Sequence, residues 1–111
     1  MAKTPEAKVK DKIRALLKEH SIYYAMPIGT GYGNSGVPDF LCCIGGKFVA
    51  IEAKANGGQP TALQWKNLKN INDSGGYTCV IDENNIDYLK KVIEECLLTT
   101  KASPNIVRGR T

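Results

Sequence analysis

The stretch that decides the predicted fold is DFLCCIGGKFVAIEAK, residues 39–54. Two apolar runs flank Gly45 and Gly46, and a two-residue glycine turn is typical of a β-hairpin. We therefore predict one strand over residues 39–44 and a returning strand over residues 47–54. Both runs are apolar on both faces, which predicts central strands of a sheet that is covered on both sides.

The segments around the hairpin predict an α/β domain with a mixed sheet. Helical spacing of apolar residues, with capping residues before it, indicates three helices. Short runs of strand-forming residues indicate two further strands, and segments rich in turn residues indicate loops. The resulting order is αβββαβα. In chain order the predicted elements are a helix from Thr4-Pro5 to about His20, a strand at 21–26, a loop at 29–36, the hairpin, a loop at 55–60, a helix at 61–73, a strand at 77–81 and a helix capped by Asn84.

Length and composition exclude several classes of protein. A chain of 111 residues and 12.1 kDa has room for one domain, and 42% hydrophobic residues are too many for a disordered protein. We assign residues 1–98 to this domain and residues 99–111 to a basic, flexible tail. No apolar run reaches the ~20 residues of a membrane span, and the N-terminus lacks the apolar region of a signal peptide. We therefore expect a cytoplasmic protein with no membrane partner.

Few charges lie in the middle of the chain, and the predicted hairpin brings them together. The net charge is +4, yet residues 21–60 carry only Asp39, Glu52, Lys47 and Lys54. A two-residue turn makes the two acids direct cross-strand neighbours, with Cβ atoms ~5 Å apart. Lys54 lies two residues beyond Glu52 and projects from the same face. Because like charges at facing positions destabilise a sheet, this arrangement favours a functional role.

A divalent cation is the simplest compensation for two facing carboxylates. Mg²⁺ prefers hard oxygen ligands, and such an ion can polarise a phosphodiester. A structural interpretation stays open beside this one, in which Asp39 caps a strand and Glu52 pairs with Lys54 at a solvated edge.

Two further polar residues lie on apolar helix faces. Glu6 falls within the arc of Val9 and Ile13, so its carboxylate is expected to face the sheet, although an acid in a first turn also complements the helix dipole. Gln64 completes a capping box with Thr61, and it also shares a face with apolar residues that point toward the sheet. Both interpretations stay open for each residue.

The four cysteines form neither a metal site nor a disulfide framework. No CxxC pair occurs and His20 is the only histidine, whereas zinc sites use paired ligands at short spacing. We predict that all four cysteines are reduced core residues, which is typical of a protein in a reducing compartment; they are Cys42, Cys43, Cys79 and Cys96.

These motifs, taken in order, resemble a known nuclease superfamily. VPD at residues 37–39 and IEAK at residues 51–54, with Glu6 in a preceding helix, resemble the PD-(D/E)XK nucleases and their restriction-endonuclease-like core. The short spacing and Gln64 look most like the VRR-NUC family, the virus-type replication-repair nucleases. The match spans residues 4 to about 81.

The resemblance implies a DNA endonuclease that hydrolyses phosphodiester bonds with Mg²⁺, for which Mn²⁺ substitutes. It makes Asp39 and Glu52 metal ligands, with the carbonyl of Ala53 completing the site, although relatives often carry Val at that position. It makes Lys54 the residue that activates water and stabilises charge on the phosphate. Glu6 would bind the metal directly or through water. The implied catalytic set is Asp39, Glu52, Lys54, Glu6 and Gln64.

The resemblance also implies partners and an origin. Small members look like homodimers that act on branched DNA such as Holliday junctions, and they suggest a phage or prophage gene. Tyr32 in the predicted loop is a candidate for stacking on a base. The rival interpretations are a catalytically silent nucleic-acid-binding module, a less selective nuclease of this fold and a sequence-specific restriction enzyme. Candidate phosphate contacts are Lys3, Lys8, Lys10, Lys12, Lys18, Lys66 and Lys69.

Overall fold

The structure is a computed structural model that describes residues 2–28, 36–100, 106, 108 and 109. Three helices flank a four-stranded mixed sheet, so the predicted α/β class and the predicted order αβββαβα are confirmed. Tyr32 and nearly all of the predicted loop at 29–36 lie outside the described residues, as does most of the tail. The elements are α1 (Pro5–Glu19), β1 (Tyr23–Ala25), β2 (Phe40–Ile44), β3 (Lys47–Ala53), α2 (Ala62–Asp73), β4 (Tyr77–Ile81) and α3 (Ile86–Leu98).

The helix boundaries follow from local capping. The Thr4 hydroxyl accepts a hydrogen bond from the Ala7 amide at the start of α1, and Thr61 and Gln64 form the predicted capping box of α2. The N-cap of α3 is Asn85, so the prediction of Asn84 is wrong by one residue. The Asn85 side chain binds the Asp82 amide and the Val80 carbonyl, which closes the preceding turn before the helix begins.

The sheet has the strand order β1-β2-β3-β4. β1 and β3 both pair antiparallel with β2, whereas β4 pairs parallel with β3. The hairpin register is the predicted one, with Cys42 opposite Val49 and Ile44 opposite Lys47. The hairpin strands are therefore the two central strands, and α2 is the crossover that makes the last pair parallel.

One face of the sheet carries the main core. α1 and α3 pack against each other and against this face, with Ile13, Leu17, Leu89 and Ile93 fully buried. The sheet residues beneath them share one side of the pleat, because strand side chains alternate between faces. These buried sheet residues are Phe40, Cys42, Ile44, Val49, Ile51, Ala53, Cys79 and Ile81.

The opposite face is only partly covered. α2 packs against β4, and its Ile71 converges with Phe48 around Gly76. Toward β1 the same face is open: Cys43 and Tyr23 are exposed, and Phe48 is half exposed. The prediction that both hairpin strands are covered on both sides is therefore wrong for this half, as is the prediction of a buried Cys43. The reason is that a single crossover helix is too narrow to cover four strands.

The turn of the hairpin is fixed by close packing. Gly45 and Gly46 have φ angles of 59° and 82°, which suit the two-residue turn that the sequence predicts. A side chain on Gly45 would place Cβ 2.1 Å from the carbonyl oxygen of Cys96, so only glycine lets α3 approach. Lys47 then donates to the carbonyls of Cys96 and Thr99, each at 3.1 Å. The carboxyl end of α3 thus holds the turn end of the hairpin.

No described helix has the length and apolar character that crossing a membrane requires.

Candidate active site

The predicted polar residues meet at the end of the hairpin that is opposite the turn. Glu52 and Lys54 lie at the end of β3, and Asp39 immediately precedes β2. The first turns of α1 reach the same place, because Lys10 of α1 forms an ion pair with Asp39. We call this group the acidic end; its members are Glu6, Lys10, Asp39, Glu52 and Lys54.

Asp39 is held by the neighbouring strand. The ladder between β2 and β3 stops at Phe40 opposite Ile51, so Asp39 does not pair with Glu52 as a regular cross-strand neighbour. Instead its Oδ2 accepts a hydrogen bond of 2.8 Å from the Ala53 amide. This bond satisfies a backbone donor that the shortened β2 leaves unpaired. It also keeps the Asp39 carboxylate beside Glu52, whose pKa the Asp39 charge raises.

Glu52 is the most unusual residue of the acidic end. Only 2% of it is accessible to solvent, and it is the one charged residue in the core of the described chain. Its Oε2 lies 3.4 Å from Lys54 Nζ, whereas its buried Oε1 has no hydrogen-bond partner. An unsatisfied buried carboxylate oxygen is costly, because nothing replaces the water that it loses on folding.

The pKa of Glu52 reflects this environment. Burial, and after it the nearby Asp39 carboxylate, raise the pKa from its usual 4.5 to about 7. Lys54 opposes this rise, and Glu6 adds to it more weakly. Near neutral pH the site therefore favours either a proton or an additional cation beside Glu52. Strong pKa shifts with a specific charged neighbour are common at functional sites.

Lys54 is positioned by both its backbone and its side chain. Its amide donates to the Ile81 carbonyl at 2.9 Å, which extends the pairing of β3 with β4 by one residue. Its side chain is only 14% exposed. The ammonium is thus held close to the carboxylates, where a positive charge can stabilise an anion that enters the site.

Lys10 is a member of the acidic end that the sequence does not single out. Its Nζ lies 3.4 Å from Asp39 Oδ1 and 3.7 Å from Glu6 Oε2, so one ammonium bridges two carboxylates. The sequence presents it as one lysine among seven exposed candidates. Its position four residues after Glu6 is a usable signal for the helical ion pair, but the contact with Asp39 depends on tertiary packing.

Glu6 and Gln64 differ in how firmly they belong to the site. Glu6 faces Glu52 closely enough to influence its pKa, yet its side chain remains 43% exposed and pairs with Lys10. Gln64 Oε1 accepts a hydrogen bond of 2.9 Å from the Thr61 amide, so the capping interpretation is realised. Its catalytic role stays a prediction, as does the carbonyl of Ala53 as a metal ligand.

The donor set suits a hard divalent cation. The unpartnered Glu52 oxygen and the adjacent Asp39 carboxylate offer oxygen ligands in a place where positive charge is favoured. Across residues 2–28 and 36–100, no group of three or more His, Cys, Asp or Glu side chains could hold a metal ion. Mg²⁺ is often held by one or two carboxylates together with water and substrate phosphate, so two ligands are sufficient for it.

The remaining candidates are less specific. Among the predicted phosphate contacts, Lys3 pairs with Asp11 and Lys69 pairs with Asp73, as expected of solvated helix surfaces. The ring of His20, the C-cap residue of α1, hydrogen-bonds the Leu16 carbonyl and so has a structural role at the end of this helix. In comparisons with models of protein families and with curated proteins, the chain matches none.

Proposed function

We propose that this protein is a metal-dependent DNA endonuclease that hydrolyses phosphodiester bonds at the acidic end. The observation that carries the proposal is Glu52, a buried carboxylate with one unpartnered oxygen and a raised pKa beside Asp39. The ion pair with Lys54 uses Oε2 and leaves Oε1 without a partner, which a bound cation would satisfy. Lys10 and Lys54 supply positive charge beside these carboxylates, which would favour an approaching phosphate.

The proposed catalytic residues would have distinct roles in hydrolysis. Asp39 and Glu52 would hold Mg²⁺, or Mn²⁺ in its place, which supplies Lewis-acid stabilisation of charge on a phosphate oxygen. Lys54 would orient the attacking water and stabilise the negative charge that develops on the phosphate. Glu6 would act at the margin of the site through water. Gln64 would steady Lys54 or a phosphate with the part of its amide that the helix cap does not use.

The fold supports a more specific assignment. The order αβββαβα, with VPD before β2 and IEAK at the end of β3, is compatible with the PD-(D/E)XK core that we propose for this chain. The short chain and Gln64 favour the VRR-NUC type within that superfamily. We therefore propose branched DNA as the preferred substrate and a phage or prophage gene as the source, both on the strength of this resemblance.

A homodimer would give the enzyme a second site related by two-fold symmetry. Among the described strands β1 pairs only with β2, so its outer edge is open to another strand. Tyr23 and Cys43 lie exposed on the uncovered face next to this edge. Two copies joined there would form an isologous interface, whose symmetry can match that of a four-way junction.

The oxidation state of the cysteines is consistent with an intracellular enzyme. All four are free thiols, and Cys42, Cys79 and Cys96 are buried. Burial raises the pKa of Cys42 to about 12 and that of Cys79 to about 11, so both stay protonated and unreactive. A reducing compartment is where such thiols are common.

Cleavage by the purified chain tests the proposed function. Linear duplex, single strand, flap, fork and four-way junction DNA are incubated with Mg²⁺, Mn²⁺ or EDTA. We expect cleavage that needs the metal and that falls on the order of 100-fold or more in Asp39→Asn and Glu52→Gln. Asp73→Asn is the matched control, because Asp73 pairs with Lys69 on the exposed side of α2.

Two outcomes would change the proposal. Salt-sensitive DNA binding without any cleavage would instead support the silent binding module. Equal cleavage of linear duplex and four-way junction would leave a nuclease but remove the preference for branched DNA. Size-exclusion chromatography with light scattering measures the molar mass and so tests the dimer. Tyr23→Lys is expected to yield monomers if the β1 edge forms the interface.

A further inference from the structure

Lys10 occupies the position of a counter-ion in the acidic end. Its ammonium lies 3.4 Å from Asp39 Oδ1 and 3.7 Å from Glu6 Oε2. Both distances exceed the roughly 2.7–2.9 Å of a strong charge-assisted hydrogen bond. The contact is therefore electrostatic and loose, which suits a group that can leave.

The charges of the acidic end show why such a counter-ion is needed. Three carboxylates, Glu6, Asp39 and Glu52, face two ammonium groups, Lys10 and Lys54. With all groups ionised the site carries about one negative charge. A divalent cation would raise this to about one positive charge, which the single negative charge of a phosphodiester would then balance.

The two lysines are not equivalent. The Lys54 side chain is 14% exposed and pairs with the buried Glu52, whereas the Lys10 side chain is 30% exposed on the surface of α1 and pairs with partly exposed carboxylates. A cation bound to Asp39 would repel both ammonium groups, and Lys10 is the more exposed of the two, so it can move into solvent more easily. The freed ammonium would lie beside the metal, where the DNA backbone arrives.

We propose that Lys10 is a displaceable counter-ion: it neutralises Asp39 and Glu6 in the metal-free protein, yields Asp39 to the divalent cation, and then binds a DNA phosphate. This inference rests on the proposed function and adds an order of events to it. Metal binding exposes the ammonium, so the metal prepares the protein for its substrate. Lys10 is a positioning residue in the first state and a phosphate contact in the second.

Removing the Lys10 charge therefore has two effects of opposite sign. Binding of the metal alone becomes tighter, because a competitor for Asp39 is lost. Binding of DNA becomes weaker only when a divalent cation is present. A residue that merely supports the fold would weaken both.

Titration calorimetry with Mn²⁺ alone tests the first effect on the full chain. We expect Lys10→Met to bind Mn²⁺ on the order of 3- to 10-fold more tightly than the unaltered protein, as loss of one nearby like charge allows. Lys8→Met is the matched control, because Lys8 is exposed on the opposite side of α1. Its Mn²⁺ affinity should stay within about 2-fold of the unaltered value, as befits a distant, solvated charge.

Salt dependence of DNA binding tests the second effect. The fluorescence anisotropy of a labelled duplex is measured against salt concentration, once with Ca²⁺ and once with EDTA. With Ca²⁺, Lys10→Met should reduce the slope of log K against log salt by about 1, the signature of one lost phosphate contact. With EDTA the slope should match that of the unaltered protein, whereas any change in Lys8→Met should be the same in both conditions.

The outcomes separate this inference from the proposed function. Unchanged or weaker Mn²⁺ binding in Lys10→Met overturns the inference even if the unaltered protein cleaves DNA. The expected Mn²⁺ and salt effects without any cleavage uphold the inference and overturn the endonuclease. An unaltered protein that does not bind Mn²⁺ overturns both. Lys10→Gln, checked for an unaltered melting curve, repeats the test with a polar side chain in case Met perturbs α1.

Discussion

The two ends of the central hairpin use charge in opposite ways. At the turn end, Lys47 donates to the carbonyls of Gly45, Cys96 and Thr99 at 3.4, 3.1 and 3.1 Å, so its ammonium is well satisfied. At the acidic end, Glu52 is more deeply buried and keeps an oxygen without a partner. A charge whose partners are all within the protein serves stability, whereas one that lacks partners is available for a ligand.

The largest effect on stability is expected at the turn end. Gly45→Ala should destabilise the protein by about 3 kcal/mol, since it combines a left-handed φ of 59° with a Cβ 2.1 Å from the Cys96 carbonyl. Urea unfolding measures the change. Gly57→Ala is the control, because Gly57 has a φ of 75° and open space around it, so only the strain of about 1 kcal/mol should remain. Equal costs at both glycines would contradict the tight packing of α3 on the turn.

The second effect has the opposite sign and belongs to the acidic end. The pKa of Glu52 is raised from 4.5 to about 7 in the folded state. The folded protein therefore holds a proton more tightly than the unfolded chain, and stability is lost as the pH rises through this interval. Gln removes the titrating charge, so Glu52→Gln in EDTA should stabilise the protein by about 2 kcal/mol at pH 8.

A pH series gives this prediction its control. At pH 4 Glu52 is largely protonated in both states, because its pKa is 4.5 or higher in each, so Glu52→Gln and the unaltered protein should unfold at similar urea concentrations. Adding Mn²⁺ at pH 8 should stabilise the unaltered protein and leave Glu52→Gln unaffected. A Gln variant that is less stable at pH 8 would show that Glu52 is a structural partner of Lys54 rather than a ligand.

A third substitution tests the satisfied charge at the turn end. Lys47→Met should cost about 1 kcal/mol, because it removes the donor that binds the last carbonyls of α3 while keeping most of the aliphatic stem. Thermal unfolding measures the loss, and Mn²⁺ binding should be unchanged. Weaker Mn²⁺ binding in Lys47→Met would mean that the two ends of the hairpin are coupled and do not act independently.

The sequence predicted the turn end better than the acidic end, for a physical reason. The glycine turn is a local pattern, and the register through Cys42 and Val49 follows from it. The point at which the pairing of β2 with β3 stops does not follow from a local sequence pattern. Asp39 uses its side chain to bind the Ala53 amide, and a side chain that competes with backbone pairing ends the strand one residue early.

The sequence predicts only part of the contacts between distant elements at the acidic end. The predicted acidic group contains Asp39, Glu52 and Lys54, and the structure brings these residues together. Lys10 joins them because tertiary packing brings the first turns of α1 to Asp39, and the sequence pattern does not show that this lysine makes the contact. Cys43 was misjudged for a similar reason, since its exposure depends on how far α2 extends over the sheet.

The smallest effect concerns Gln64, the residue with two open interpretations. Its side-chain Oε1 accepts from the Thr61 backbone amide, and its backbone amide donates to the Thr61 hydroxyl at 3.2 Å, so Gln64 resembles Lys47 more than Glu52. Gln64→Ala should therefore cost about 0.5 kcal/mol, and Gln64→Glu should restore this loss because Glu also completes a capping box. Urea unfolding of both variants makes the measurement. If Glu failed to restore stability, the amide group itself would be required, and Gln64 would belong with the unsatisfied groups of the acidic end.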